Sequence, residues 1–258
     1  MFGLTRQITK SLLRKFGFGV WAINSSETLN FENLLYVLRR RYPVVTFLHI
    51  GAHDGKSFSD PLHHFVVSNP TCVSGVMVEP VQQTYEKLVR NYGHIPSIRL
   101  LNVAVHPTLT QVRIHKLSNV AADRTQYATG LSTVDADRLL KSEIATAGTA
   151  IEYELVDAIS VSTCAQEIPL PQTNQPHVIC IDTEGLDFEL VRSINFDLTR
   201  PNLIRFEHNL CDKTSSINVD EYFALVDWLN ARGYQVFTEH NDAVAVSNEM
   251  IPIVVQPY

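Results

Sequence analysis

Chemistry-capable side chains gather where short apolar runs of this chain stop. The first such place is His49-Ile50-Gly51-Ala52-His53-Asp54-Gly55. A glycine at the end of a strand lets the backbone turn sharply and approach a ligand closely. Two glycines four apart before a helix suit a nucleoside-bearing cofactor, although a plain strand-to-helix turn uses the same residues. A nicotinamide turn would read G-x-G-x-x-G, and His53 stands where its second glycine belongs. The second place is Val78-Glu79-Pro80, where a carboxylate at a strand tip can accept hydrogen bonds from both hydroxyls of a ribose. Pro80 turns the chain away and leaves that carboxylate at the sheet edge. The third is Asn102-Val103-Ala104-Val105, whose small residues make room for a planar base and whose Asn102 amide can meet the base's edge.

Two further places carry acid and base. Ile181-Asp182-Thr183-Glu184-Gly185-Leu186-Asp187 packs three carboxylates into one turn. Such charges must be exposed, paired or facing a cation. A solvated acidic helix start accounts for Glu184 and Asp187, but not as well for Asp182, the last residue of its strand. Arg205-Phe206-Glu207-His208-Asn209 sets a histidine beside a carboxylate, the pairing of a general base, although an ordinary structural histidine also fits.

The elements that must position these residues follow from periodicity. Leu4, Ile8, Leu12 and Phe16 recur at four-residue spacing, with Arg6, Lys10 and Arg14 on another face, and predict a first helix. Docking on the domain is its expected role; its basic face makes peripheral membrane contact the alternative. A second helix is predicted over Thr28–Arg41, with Phe31, Leu34, Leu35 and Leu38 as its stripe, and Pro43 ends it. From Val44 onward strands and helices alternate: strands at Val44–Ile50, Gly75–Glu79, Ile98–Val103, Val178–Asp182 and Asn202–Glu207, and helices at Ser57–Val67, Val81–Tyr92, Phe188–Ile194 and Asp220–Arg232. Gln111–Leu117 is predicted as a hairpin partner of the third strand, Ile151–Val161 as a strand, and Tyr234–Thr238 and Ala243–Ser247 as two closing strands. The polar segment from Ser118 to Ala150 is the expected lid over an acceptor. This order predicts an α/β fold with a doubly wound, mostly parallel sheet, residues 1–43 forming an N-terminal helical extension to a domain over 44–258. Ligands in such sheets sit beyond the carboxyl ends of the strands.

Composition narrows the class. The chain has 258 residues, 45% of them hydrophobic, and a net charge of −6. That length supports one sizeable core, and the charge disfavours a nucleic-acid partner. Cys72, Cys164, Cys180 and Cys211 lack both zinc-site and disulfide spacing, which predicts reduced thiols in a cytoplasmic protein. No run reaches the roughly 18 apolar residues of a membrane span, and the N-terminus lacks the features of a signal peptide.

Taken in order, HIGAHDG, VEPVQQTYEKLVRNY, NVAV, IDTEGLDFELV, RFEHN and GYQVFTEHNDAVAV resemble the FkbM family of methyltransferases over Val44 to Ser247. The resemblance implies a class I methyltransferase (Rossmann-like) fold, a seven-stranded sheet with one antiparallel strand, and S-adenosyl-L-methionine as methyl donor. It implies that Gly51, Ala52, His53, Asp54 and Gly55 line the methionine and ribose portion, that Glu79 with Pro80 holds the ribose diol, and that Asn102 and Ala104 border the adenine. Asp182 and Glu184 would face the transferred methyl or the acceptor. The chain departs from the family's pattern at His49, where many members carry an acid tied to the cofactor's amino group, and at Cys180, where lysine is frequent.

The expected reaction is methyl transfer to a hydroxyl of a carbohydrate, glycolipid or other small metabolite. His208 is the first choice as proton acceptor and Asp182 the second. Hydroxyl activation by a divalent metal on Asp182 and neighbouring carboxylates is a third, less favoured route. A catalytically silent cofactor-binding scaffold of the same fold is the alternative function.

Overall fold

In the computed structural model, residues 30–118, 132–134, 136–141, 150–169, 175–208 and 219–251 are described below. The predicted Leu4–Phe16 helix lies outside them. The first described helix, α1 (Phe31–Arg41), begins at Asn30, whose side chain accepts from the Asn33 N–H. It buries the predicted stripe of Phe31, Leu34, Leu35 and Leu38. These side chains share one core cluster with Phe47, Phe65, Met77 and Val244, so α1 covers one face of the sheet.

Beyond α1 the chain runs β1 (Val45–Ile50), α2 (His63–Ser68), β2 (Val73–Val78), α3 (Gln82–Tyr92), β3 (Ile98–Leu101), β4 (Ala104–Val105), β5 (Gln111–Ser118), α4 (Ala136–Lys141), β6 (Ala150–Ile159), α5 (Val161–Gln166), β7 (Val178–Ile181), α6 (Asp187–Ser193), β8 (Leu203–Glu207), α7 (Val219–Asn230), β9 (Tyr234–Glu239) and β10 (Asp242–Ser247). The main sheet has seven strands in the order β3-β2-β1-β7-β8-β10-β9. β10 runs antiparallel to both β8 and β9, while β1, β2, β3, β7 and β8 pair in parallel. This is the arrangement of the class I methyltransferase fold. β1, β2 and β7 are buried along their whole length, which explains why they read as continuous apolar runs.

Two predicted elements come out differently. Gln111–Leu117 is not a hairpin partner of the third strand. It pairs antiparallel with β6, from Gln111 opposite Asp157 to Ser118 opposite Ala150, in a separate sheet of order β4-β6-β5. Alternation marks a half-buried strand but does not name its neighbour. The helix predicted from Ser57 begins only at His63. Phe58 and Ser59 have φ of 56° and 59°, and Asp60 Oδ1 accepts from the Leu62 and His63 N–H groups, so an Asx turn delays the helix.

Pleat alternation sorts the strand ends onto two faces. His49 lies opposite Cys180, and Cys180 opposite Arg205, so these three project from one face, towards α1. Ile50, Ile181 and Phe206 project from the other, into a cluster with Phe188 of α6 and Tyr222 of α7. No helix of the described residues is long and apolar enough to cross a membrane.

Candidate functional site

A cavity of about 490 Å³ opens at the carboxyl ends of β1, β2, β7 and β8, the volume of a small-molecule site. Gly51, Ala52, His53, Glu79, Pro80, Ala104, Asp182 and Glu184 line it, while Asp54, Gly55, Asn102 and His208 do not. Ser132 and Val134 bring the segment between β5 and β6 to its wall.

On the β1–β2 side, Glu79 is 6% exposed. Its Oε2 accepts the His53 N–H at 3.0 Å and its Oε1 the Val81 N–H at 2.9 Å. Each oxygen thus keeps acceptor capacity on the cavity side. Burial pushes its carboxyl up to about 7; the Val81 and His53 N–H groups oppose that rise, and Asp182 and Glu154 add to it. Gly51 (φ 75°) passes so close to β7 that an added Cβ would lie 1.7 Å from the Asp182 carbonyl oxygen. The ring of His53 is set edge-on to Phe58 at 5.2 Å, and burial lowers its pKa despite the opposing Asp54 carboxylate.

The residues outside the cavity wall hold the turn together. Asp54 accepts from the Lys56 and Ser57 N–H groups and from Ser57 Oγ. Burial alone would raise its carboxyl, but the Ser57 and Lys56 hydrogen bonds win and bring it to about 2. A Cβ on Gly55 would collide with the Tyr92 ring. Asn102 Nδ2 donates to the Glu79 and Pro80 carbonyls, so its amide nitrogen clamps the end of β2.

On the β7–β8 side, Asp182, Glu184 and Glu207 each bring a carboxylate oxygen within 4.8 Å of the other two, a donor set of the kind that hard divalent cations use. Thr133 Oγ1 donates to the Glu184 carbonyl, fixing Glu184 in the left-handed region at φ 55°. The bland alternative of a solvated helix start does not hold for Asp187, which is 2% exposed. Its Oδ2 accepts from Thr183 Oγ1 at 2.9 Å and faces the Thr183 and Gly185 N–H groups, while Oδ1 accepts the Glu207 N–H at 3.3 Å. One buried carboxylate therefore ties the acidic turn to β8. Burial, and then the nearby Asp182, push its carboxyl up to about 7 against those hydrogen bonds. Asp187→Ala should cost about 2–4 kcal/mol, because the donors lose their acceptor in a dry site. Urea midpoints equal to wild type would remove this role.

His208 is the sequence candidate that the geometry moves away. It is 3% exposed, packs against Tyr222 with ring centroids 5.3 Å apart, and sits on the α7 side. Glu207, one residue earlier, points into the cavity instead.

Asp60, His240 and Asp242 line the cavity but escaped the sequence reading. His49 Nδ1 faces Asp60 Oδ2 at 3.6 Å, and Arg205 forms an ion pair with Asp242. Burial lifts the Asp242 carboxyl to about 6, with Arg205 opposing. Among the described residues, the non-glycine positions with positive φ are His53, Phe58, Ser59, Glu184 and His240, and all of them line the cavity. Strain of this kind costs of order 1–3 kcal/mol per residue and collects at functional sites. Asp242 adjoins a predicted strand, whereas Asp60 falls inside the predicted Ser57–Val67 helix, where nothing in the sequence marked it.

Fold and cavity together define a class I methyltransferase. The family model of the methyltransferase FkbM domain matches residues 49–236, and the chain belongs to that family. No curated protein matches its sequence. Among solved structures, it is similar to a chain of a fibrillarin/NOP5P complex, with 9% identity, 88% of each chain covered and a TM-score of 0.40. It is also similar to precorrin-6y C5,15-methyltransferase from Geobacter metallireducens GS-15, with 12% identity, 88% of this chain and 94% of that one covered, and a TM-score of 0.39.

Proposed function

We propose that the protein transfers a methyl group from S-adenosyl-L-methionine to a hydroxyl oxygen of a carbohydrate, glycolipid or other small metabolite. The observation that carries this reading is one cavity with a diol-accepting carboxylate, Glu79, at one end and the Asp182–Glu184–Glu207 group at the other. When bound, the cofactor supplies an electrophilic methyl carbon on a sulfonium. Glu79 holds the ribose hydroxyls, and Gly51, Ala52 and His53 border the arm that leads to the sulfur. Ala104 leaves space for the adenine.

The carboxylates of Glu184 and Glu207 accept hydrogen bonds from acceptor hydroxyls and orient one of them for in-line attack. Asp182, the most exposed of the three and next to the Gly51 turn, takes the proton as the new bond forms. His208, packed against Tyr222, has no part in that step. The wall formed by Ser132 and Val134 supports an acceptor-side role for the segment between β5 and β6. Cys72, Cys164 and Cys180 are unpaired, which favours a reducing, cytoplasmic setting.

Titration calorimetry with S-adenosylhomocysteine against NAD tests the cofactor, and a mass-shift assay with labelled donor on polysaccharide and glycolipid extracts tests the acceptor. Stoichiometric cofactor binding without transfer to any extract would favour the silent scaffold. A pH series tests Glu79. Its folded-state pKa lies above the unfolded value, so its contribution to stability is complete below the ordinary carboxylate range and is lost as pH rises through about 7. Ribose hydroxyls favour the ionised form. Affinity for S-adenosylhomocysteine should therefore climb by up to about tenfold per pH unit towards neutrality and level off above it. Glu79→Gln should bind about 2–4 kcal/mol more weakly and lose that slope. Equal affinity and equal slope in both proteins would sink the assignment.

A further inference from the structure

The acidic turn at the end of β7 is held from two sides. On one side Asp187 accepts from Thr183 Oγ1 and faces the Thr183 and Gly185 N–H groups. On the other, Thr133 Oγ1 donates to the Glu184 carbonyl. Two successive residues of the turn have positive φ, 55° at Glu184 and 134° at Gly185. A backbone of that kind persists only where its surroundings hold it. Thr133 lies 51 residues earlier in the chain and is 1% exposed. A Cβ added to Gly185 would meet Thr133 Oγ1 at 3.6 Å, so the hydroxyl rests directly against the turn.

The main chain of Thr133 is fixed independently of its side chain. Its N–H donates to the His115 carbonyl at 3.0 Å, and its carbonyl accepts the His115 N–H at 2.7 Å, an antiparallel bridge to β5. The next residue, Val134, packs against the cluster of Val81, Ala104, Val112, Ile114 and Ala158. Anchored in this way on the smaller sheet, Thr133 presents its hydroxyl to the acidic turn of the larger one. That hydrogen bond engages the Glu184 carbonyl, while a Glu184 carboxylate oxygen stands within 4.8 Å of those of Asp182 and Glu207. We propose that Thr133 is a positioning residue for methyl transfer, its hydroxyl holding the Glu184–Gly185 peptide so that the Glu184 carboxylate meets the acceptor. This assignment rests on the acceptor reading above. Without the hydroxyl, the peptide can turn towards an ordinary backbone conformation and carry the Glu184 side chain off the acceptor.

The test uses the full-length chain as wild type, Thr133→Val and Thr133→Ser. Valine keeps the buried β-branched shape and removes the hydroxyl, whereas serine keeps the hydroxyl and removes the methyl group. Initial rates are measured with labelled S-adenosyl-L-methionine on the polysaccharide or glycolipid extract that wild type methylates. Thr133→Val should lower kcat/KM for the extract about tenfold, the worth of one well-placed hydrogen bond. Its affinity for S-adenosylhomocysteine should stay within about twofold of wild type. In ligand-free protein, hydrogen exchange at the Thr183 and Gly185 amides should quicken about tenfold in the valine variant. Thr133→Ser should match wild type in all three measurements. Thr133→Ala against Thr133→Ser carries the same comparison if the valine variant does not fold. Wild-type turnover in Thr133→Val overturns the proposal, whether or not exchange quickens. Equal losses in the valine and serine variants also overturn it, since packing would then be the cause. Wild type that transfers to no extract defeats the acceptor reading itself, a result apart from any difference among the variants.

Discussion

Asp182→Asn is expected to lower kcat by about 10²–10⁴-fold while leaving affinity for S-adenosylhomocysteine within a few-fold of wild type. The substitution keeps shape and hydrogen-bonding capacity but removes the basic oxygen. An alcohol cannot give up its proton before attack at neutral pH, so losing the acceptor falls on the chemical step. Asp182 is the member of the acidic group best placed for this. It is exposed at the end of β7, its N–H donates to the Ile50 carbonyl, and Glu184 and Glu207 stand within 4.8 Å. His208→Ala should be mild by comparison, because the ring lies against Tyr222 and outside the cavity wall. A severe His208 variant with an active Asp182→Asn enzyme would reverse the assignment. Turnover should also persist in EDTA. Loss on chelation, with recovery on adding magnesium or manganese, would transfer the role to a metal on the same carboxylates.

Gly51→Ala should be the most damaging single-atom addition in the fold, at a cost on the order of 4 kcal/mol. Two penalties combine there. The backbone has φ 75°, and the new Cβ would sit 1.7 Å from the Asp182 carbonyl oxygen. Backbone cannot rotate aside as a side chain can, so β1 and β7 would have to part at the site itself. Gly233 provides the control. Its φ is 85°, but the nearest atom to an added Cβ is a side-chain nitrogen 3.7 Å away, and Gly233→Ala should cost only about 1–2 kcal/mol. Denaturant midpoints of the two variants measure the difference. Equal losses would mean that φ alone, without the contact between strands, requires Gly51. Loss of cofactor binding should accompany Gly51→Ala and not Gly233→Ala, since only the former disturbs the cavity.

Much of the architecture was legible because burial and periodicity act locally. The runs at Val45–Ile50 and Val178–Ile181 are apolar throughout because both faces of those strands are covered. The α1 stripe follows the helical repeat, and Asn30 marks its start. The ends of those strands had to hold the site, since a parallel sheet opens at its carboxyl edge. Gly51, Glu79 and Asp182 could therefore be singled out from residue type and place alone.

Only the tertiary structure could decide which neighbouring residues share a surface. Pleat parity at the end of β8 turns Glu207 into the cavity and leaves His208 against Tyr222, and a one-residue difference in where a strand ends reverses that choice. Asp187 and Asn102 carry functional-looking groups, yet a backbone donor and a backbone carbonyl from other segments engage them. Asp60 and Asp242 reach the cavity from a turn and from the antiparallel strand, far apart in the chain. Sequence determined the elements and the edge at which they open, because those depend on periodicity and burial along the chain. The site's membership depends on register, turn conformation and contacts across strands, which are set only when distant segments pack together.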